Sequence, residues 1–270
     1  MDGSVTLFYR EYGSGLPVIL LHGFAEDGTI WDHQAARLAA DCRLIIPDLP
    51  GSGKSPALPG EDSGTISAGI SLEDLAGSVT ALLDREGIEK CVLIGHSMGG
   101  YIALAFAEKY PERLMALGLF HSTAYSDSEE KRAGRQKNIS FIRKNGAATF
   151  VRQSTPNLFG DYTREHHPEL ISDTVDRYSG FSPESLVSYT EAMINRPDRT
   201  AVLREFAGPV LFIIGREDIV IPMEHSLQQC HLPALSHVHI VEHAGHEAML
   251  ENPGRSNEIL HSFINFVLHV

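Results

Sequence analysis

The sequence predicts an α/β protein in which one sheet is flanked by helices and interrupted by a helical insertion. Three observations carry that expectation. Short apolar strands recur, and each is followed by a turn and a helix-like segment, the order that builds a single layered sheet. From His121 to about Phe206 the glycine-bounded strands vanish and charged, helix-like segments take over. At Pro209-Val210-Leu211-Phe212-Ile213-Ile214-Gly215 a buried strand returns. The chain has 270 residues, enough for one large domain or two small ones, and its 43% hydrophobic content suffices for a sizeable core.

Taken in order, Val5 to Tyr12 alternates in polarity, as an edge strand or the first arm of a hairpin turning at Gly13-Ser14-Gly15 would. Pro17 to Leu21 is an apolar strand leading into His22-Gly23-Phe24. A helix is expected over about Ile30 to Ala40, then a strand from Cys42 to Pro47 ending in Asp48. Pro56 to Gly69 is rich in Gly, Pro, Ser and acids, has no clear period and is long for a loop. Ser71 caps a helix that carries early acids and that Gly87 closes. A strand over Val92 to Ile94, a small-residue helix ending near Tyr110-Pro111 and a strand over Leu114 to Phe120 follow. Helical segments are expected at Ser128 to Asn145, Pro168 to Tyr178 and Pro183 to Asn195, and a final helix at Asn252 to Leu268. The corresponding division is a core over 1–120, a helical cap over 121–206 and the rest of the core over 207–270.

The chemistry concentrates at Gly95-His96-Ser97-Met98-Gly99. A strand enters this Gly-x-Ser-x-Gly and a helix leaves it, so Ser97 is expected on a sharp turn with its hydroxyl pushed out above the sheet. Gly95 and Gly99 let neighbouring backbone pass closely. A serine hydroxyl needs a base, and the base needs an orienting acid. Asp218, just after the Pro209–Gly215 strand, is the acid, with Glu217 as its rival. His246, in the loop after the strand over residues 237–241, is the base, with His243 as its rival. Pro222 suits the start of a helix after the acid. The backbone N–H groups of Phe24 and Met98 are candidate oxyanion donors, each worth about 3–4 kcal/mol of barrier. His22 is expected to be structural. Phe141, Phe150, Leu158, Phe159 and Met193 are candidates to line an acyl pocket, although packing within the cap would use the same residues.

Several features imitate other chemistry. Gly51-Ser52-Gly53-Lys54-Ser55 resembles the tail of a phosphate-binding loop, but Asp48 stands where that motif needs glycine. His237, His239, His243 and His246 could suggest a metal, yet no cysteine lies near them and the H-E-x-x-H spacing is absent. His166-His167 read as exposed polar residues. Asn138-Ile139-Ser140 matches a glycosylation acceptor that needs a secretory route to be used.

Five pieces in order, His22-Gly23-Phe24, Asp48 to Ser55, Gly95 to Gly100, Gly215 to Asp218 and Gly245-His246, resemble the α/β-hydrolase superfamily over nearly the whole chain, apart from its divergent middle third. The resemblance implies a mostly parallel central sheet with Ser97, Asp218 and His246 brought together at its C-terminal edge. It also points to bacterial carboxylesterases, aryl esterases and cofactor-free perhydrolases. Ser97 disfavours the branches with aspartate at the elbow. Carbon–carbon bond hydrolases share the serine but often carry tryptophan after the catalytic histidine, where this chain has Glu247.

The expected reaction is hydrolysis of a small to medium carboxylic ester through an acyl-enzyme, with no cofactor and no metal. Carbon–carbon, lactone or peracid chemistry on the same three residues is the alternative, and a ligand-sensing protein with a hydrolase-like site is an alternative of another class. A net charge of −13 argues against nucleic acid or an anionic membrane as partner. No secretory signal and no apolar run of about 20 residues is visible. Three widely spaced cysteines suit reduced thiols, and hence the cytoplasm.

Overall fold

The computed structural model describes residues 5–58 and 69–269. The expected long loop between Pro56 and Gly69 falls largely outside them. Seven strands form one sheet: β1 (Tyr9–Tyr12), β2 (Pro17–Leu21), β3 (Arg43–Pro47), β4 (Cys91–His96), β5 (Leu114–Phe120), β6 (Val210–Gly215) and β7 (Ser236–Val241). Their order is β1-β3-β2-β4-β5-β6-β7. Every neighbouring pair is parallel except β1 with β3.

The leading hairpin is not formed. β1 is an edge strand, but it pairs with β3 (Tyr9 opposite Pro47) and not with β2. Gly13 explains the change of direction: it sits at φ 69°, and a side chain there would collide with the carbonyls of Ala39 and Cys42. The strand is also shorter than the alternation from Val5 suggested. The helix expected over residues 30–40 starts as a 3-10 turn, Gly28–Trp31, and continues as α1 (Asp32–Leu38).

Layering follows from the two-residue period of the strands. On β2, Val18 and Leu20 pack with Leu44 and Ile46 of β3 against α1 and α12 (Pro253–Leu268). Ile19 and Leu21 point the other way, towards α2 (Leu72–Arg85) and α3 (Met98–Lys109). Ser71 and Asp74 make a reciprocal capping box at the start of α2. Gly87 closes that helix at φ 64°, with the Ile88 N–H donating to Leu83 O.

Between β5 and β6 the chain builds α4 (Glu129–Asn145), α5 (Ala147–Ser154), α6 (Asp161–His166), α7 (Pro168–Tyr178), α8 (Pro183–Asn195) and α9 (Thr200–Glu205). The two ends of this insertion are fastened together. The Arg199 N–H donates to Ala124 O at 2.7 Å, and Arg196, stacked 4.0 Å over the Tyr101 ring, pairs with Asp127 at 2.8 Å. After β6 come α10 (Met223–Leu227), with Pro222 as its N-cap, and then β7, α11 (Ala248–Glu251) and α12. No described helix is long and apolar enough to cross a membrane.

Sequence order reverses direction across the sheet at β2, which lies between β3 and β4, and a crevice opens at the carboxyl ends of strands at such a switch point. The turns after β2, β4, β5, β6 and β7 all end on that edge, which gathers His22, Ser97, His121, Asp218 and His246 from distant parts of the chain.

Candidate active site

Ser97 occupies the turn between β4 and α3 with φ 49° and ψ −112°, a conformation that costs a non-glycine residue about 1–3 kcal/mol. Surrounding groups hold it there. The Ser97 N–H donates to Phe120 O at 3.0 Å, and the Ser122 hydroxyl donates to Ser97 O at 2.7 Å. The flanking glycines are steric necessities: a side chain at Gly95 would strike the backbone of Gly99 and Gly100, and one at Gly99 would strike the carbonyls of Leu21 and His22.

Asp218 and His246 meet. His246 Nδ1 lies 2.8 Å from Asp218 Oδ2, and both residues are buried. The other carboxylate oxygen of Asp218 accepts from the Val220 and Ile221 N–H groups at 2.8 and 2.9 Å. Burial alone would raise the Asp218 pKa, but His246 beside it draws it well below the usual carboxylate range. The rivals stand elsewhere. Glu217 accepts the Asp161 N–H of the insertion at 2.6 Å, and His243 is exposed beside Glu217 and Tyr162. Ser97 follows directly on His96, whose ring centroid is 4.9 Å from that of His246.

Phe24 lies in the turn after β2. The N–H of its neighbour Gly23 is taken by Glu26 Oε2 at 2.7 Å, while Met98 is the first residue of α3, whose N–H no intrahelical carbonyl can accept. The Phe24 ring packs edge-on against Phe150 at 6.0 Å, and Phe150 in turn against Phe141 at 6.5 Å. Leu158 and Phe159 border the histidine loop: Leu158 O accepts the His246 N–H at 2.6 Å, and a side chain on Gly245 would strike both residues' backbone. Met193 is buried in the same apolar cluster as Met98 and Tyr101. A cavity of about 370 Å³ among the described residues is lined by Asp27, Ser52, Tyr178 and Phe181 among others, and none of Phe141, Phe150, Leu158, Phe159 and Met193 lines it.

His121, at the end of β5, stands beside the His246–Asp218 pair without any motif to mark it in the sequence. Its Nδ1 lies 3.2 Å from Asp218 Oδ2 and 3.1 Å from Gly215 N. Burial pushes the ring's pKa down to about 4, so it is neutral near pH 7. The Gly215 amide can only donate, which leaves the proton on Nε2, and Nδ1 therefore meets Asp218 with no proton between them. His121 sits at φ 48°. A non-glycine residue in that conformation was the one signal available, and it is invisible in a sequence.

The imitations resolve structurally. His22 Nε2 accepts the Leu49 N–H at 3.0 Å and contacts the Ser52 hydroxyl at 2.8 Å, so this buried histidine holds the 49–52 turn. Asp48 fills the phosphate-loop lookalike itself: its carboxylate accepts the N–H groups of Gly28 at 2.9 Å and Lys54 at 2.8 Å, and a side chain at Gly53 would collide with it. His237 packs between Phe263 and Phe266. Among the described residues, the two clusters able to hold a metal ion are His121, Asp218 and His246, and Glu26, His96 and Glu247. Neither includes His237, His239 or His243.

The model of the α/β-hydrolase fold family matches residues 17–253. The chain is 27% identical over 246 residues to a putative carbamate hydrolase, RutD, of Pantoea ananatis (strain LMG 20103), covering 90% of this chain and 86% of that protein. It is 28% identical to a 2-hydroxy-6-oxononadienedioate/2-hydroxy-6-oxononatrienedioate hydrolase of Burkholderia vietnamiensis (strain G4 / LMG 22486), over 97% of this chain and 92% of the other. Among solved structures, a malate-bound thermophilic esterase from Thermogutta terrifontis superposes with a TM-score of 0.90 at 32% identity, covering 97% and 93% of the two chains. With the serine turn, the histidine loop and the sheet order in place, the chain belongs to the α/β-hydrolase family and is a hydrolase.

Proposed function

We propose that this hydrolase cleaves small to medium carboxylic esters through an acyl-enzyme on Ser97. The observation that carries the proposal is the 2.8 Å pairing of His246 Nδ1 with Asp218, one ring away from a serine held at positive φ on the strand-to-helix turn. Asp218 fixes the proton of His246 on Nδ1, so Nε2 is free to take the proton of Ser97 as the hydroxyl attacks the ester carbonyl. The Phe24 and Met98 N–H groups bind the oxygen that becomes negative. His246 then returns the proton to the departing alcohol and activates the water that releases the acid. Phe150, packed on Phe24, forms one wall for the acyl group together with Phe141; Leu158 and Phe159 close the side next to His246, and Met193 supports the floor. Residues 121–206 act as a cap over the core segments 1–120 and 207–270.

Likeness to the Thermogutta esterase supports the ester reading. The similar dienedioate hydrolase keeps carbon–carbon cleavage as the competing outcome, and Glu247 after His246 in place of tryptophan weighs against it. Three unpaired cysteines, two of them buried, agree with a reducing compartment such as the cytoplasm. Hydrolysis of nitrophenyl esters from acetate to laurate, measured beside Ser97→Ala and a ring-cleavage dienoate, tests the proposal. Serine-dependent turnover that falls with acyl length is expected. Negligible ester turnover with rapid loss of the dienoate overturns it.

A further inference from the structure

Behind the His246–Asp218 pair lies a second set of buried titratable groups. Glu26, His96 and Glu247 come from the turn after β2, the end of β4 and the loop before α11, and their oxygen and nitrogen atoms lie within 4.8 Å of one another. All three are at least 95% buried. We propose that they form a proton-sharing unit that positions the histidine loop: His96 is a standing imidazolium between the Glu26 carboxylate and the His246 carbonyl, and Glu247 is a neutral acid hydrogen-bonded to Glu26. The positioning part rests on the reading of His246 as the base.

The proton count follows from what each partner can do. His96 Nε2 lies 3.0 Å from the backbone oxygen of His246, and a carbonyl only accepts, so Nε2 carries a proton. His96 Nδ1 lies 3.1 Å from Glu26 Oε2, which also accepts the Gly23 N–H at 2.7 Å. At His121 the Gly215 N–H occupies Nδ1, but among the described residues no N–H donates to Nδ1 of His96, so the ring carries the hydrogen between it and Glu26, is doubly protonated and has Glu26 as its counter-ion. Burial would raise the Glu26 pKa, but the neighbouring His96 and the Gly23 N–H hold it at about 2.

Glu247 cannot also be charged. Two carboxylates side by side away from water do not both ionise. Burial and then the charge of Glu26 raise the Glu247 pKa well above the usual range, so its proton is donated to Glu26. Its Oε2 is buried without a donor among the described residues, which a carboxylate would not tolerate and a neutral acid does. The surrounding titratable groups are His22 and Asp27 after β2, His121 at the end of β5 with its ring 6.2 Å from that of His96, Tyr178 of α7, Asp218 after β6, and His246 and Glu251 beside Glu247. Glu247 follows His246 in the histidine loop and His96 bonds the His246 carbonyl, so the unit acts on chemistry by fixing where the His246 backbone, and hence its ring, stands.

Histidine nitrogen NMR and infrared spectroscopy on the intact wild-type protein test the assignment without any variant having to fold. The expected result at pH 8 is one imidazole with both nitrogens protonated and one carboxylic-acid C=O band. The first should vanish in His96→Gln and the second in Glu247→Gln. In ester turnover, Glu26→Gln should lower kcat about tenfold or more with KM little changed, and Glu247→Gln, which mimics a neutral acid, less than about threefold. A neutral His96, no acid band, or Glu247→Gln as damaging as Glu26→Gln overturns the proposal. If both signals stand but no ester is turned over, the ester reading fails and the proton assignment survives.

Discussion

The backbone N–H of His246 donates to the carbonyl of Leu158 at 2.6 Å, so the loop carrying the histidine is tied directly to the helical insertion. Glu251 doubles the tie. Its carboxylate accepts the N–H groups of Gly160 at 2.7 Å and Gly245 at 2.8 Å and the Thr163 hydroxyl at 2.8 Å. On this side the insertion is fastened to the loop that carries His246.

Glu251→Ala should therefore weaken both the fold and the chemistry. Charge-assisted hydrogen bonds are worth roughly 1.5–3 kcal/mol each and add incompletely, so a loss of about 2–4 kcal/mol is expected in urea unfolding. Turnover should fall as well, because Gly245 precedes His246. A loss under about 0.5 kcal/mol would show that Leu158 alone holds the loop.

Asp127 is the second structural test. It is buried between Arg135 at 2.6 Å and Arg196 at 2.8 Å where the insertion leaves the core. Asp127→Ala strands two guanidinium groups, one of them almost fully enclosed, and should cost about 3–5 kcal/mol. Denaturant midpoints compared with wild type measure it.

Ser122→Ala removes the hydroxyl that caps the Ser97 carbonyl at 2.7 Å. One neutral hydrogen bond is worth about 1 kcal/mol, so kcat should drop about fivefold while the fold persists. Unchanged kcat would mean that Phe120 and the glycines hold the turn unaided.

Stability should depend on pH in two opposed ways. Glu26, held at about 2, and Asp218 and Asp127, both depressed, contribute stability that is present above their unfolded values near 4 and is lost as pH falls towards 2. Glu247 and Glu251 are raised by burial, so their contribution is present below the unfolded value and is lost as pH rises through the folded one. His121, lowered to about 4, and His22, also lowered by burial, add stability that is lost as pH falls below the unfolded histidine value of about 6.5. The melting temperature should therefore peak near neutral, decline below about pH 6.5 and fall steeply below about pH 4.5. Glu247→Gln should flatten the alkaline side and leave the acid fall. A melting temperature that climbs steadily to alkaline pH contradicts this balance.

Local signals made much of the fold readable. β5, α7 and α8 begin and end where the apolar runs, Pro168, Pro183 and the following breaks predicted, because their limits are set by residues within the element. The pairing of β1 with β3 was not readable, since alternation fixes which face is buried and says nothing of which strand lies alongside. The strand-end positions of the candidates Ser97, Asp218 and His246 were legible because each follows a strand in a fixed order. Glu26, His96, His121 and Glu247 were not, for their meaning lies in contacts spanning 70 to 150 positions. Glu247 was visible only as an acid standing where tryptophan is common.

The most direct test of the central claim is reaction of the purified protein with a serine-reactive phosphonate, followed by intact mass and peptide mapping. One adduct is expected, on Ser97, absent in Ser97→Ala and formed far more slowly in His246→Ala. An adduct on another residue, or labelling of Ser97 at the wild-type rate without His246, would contradict it.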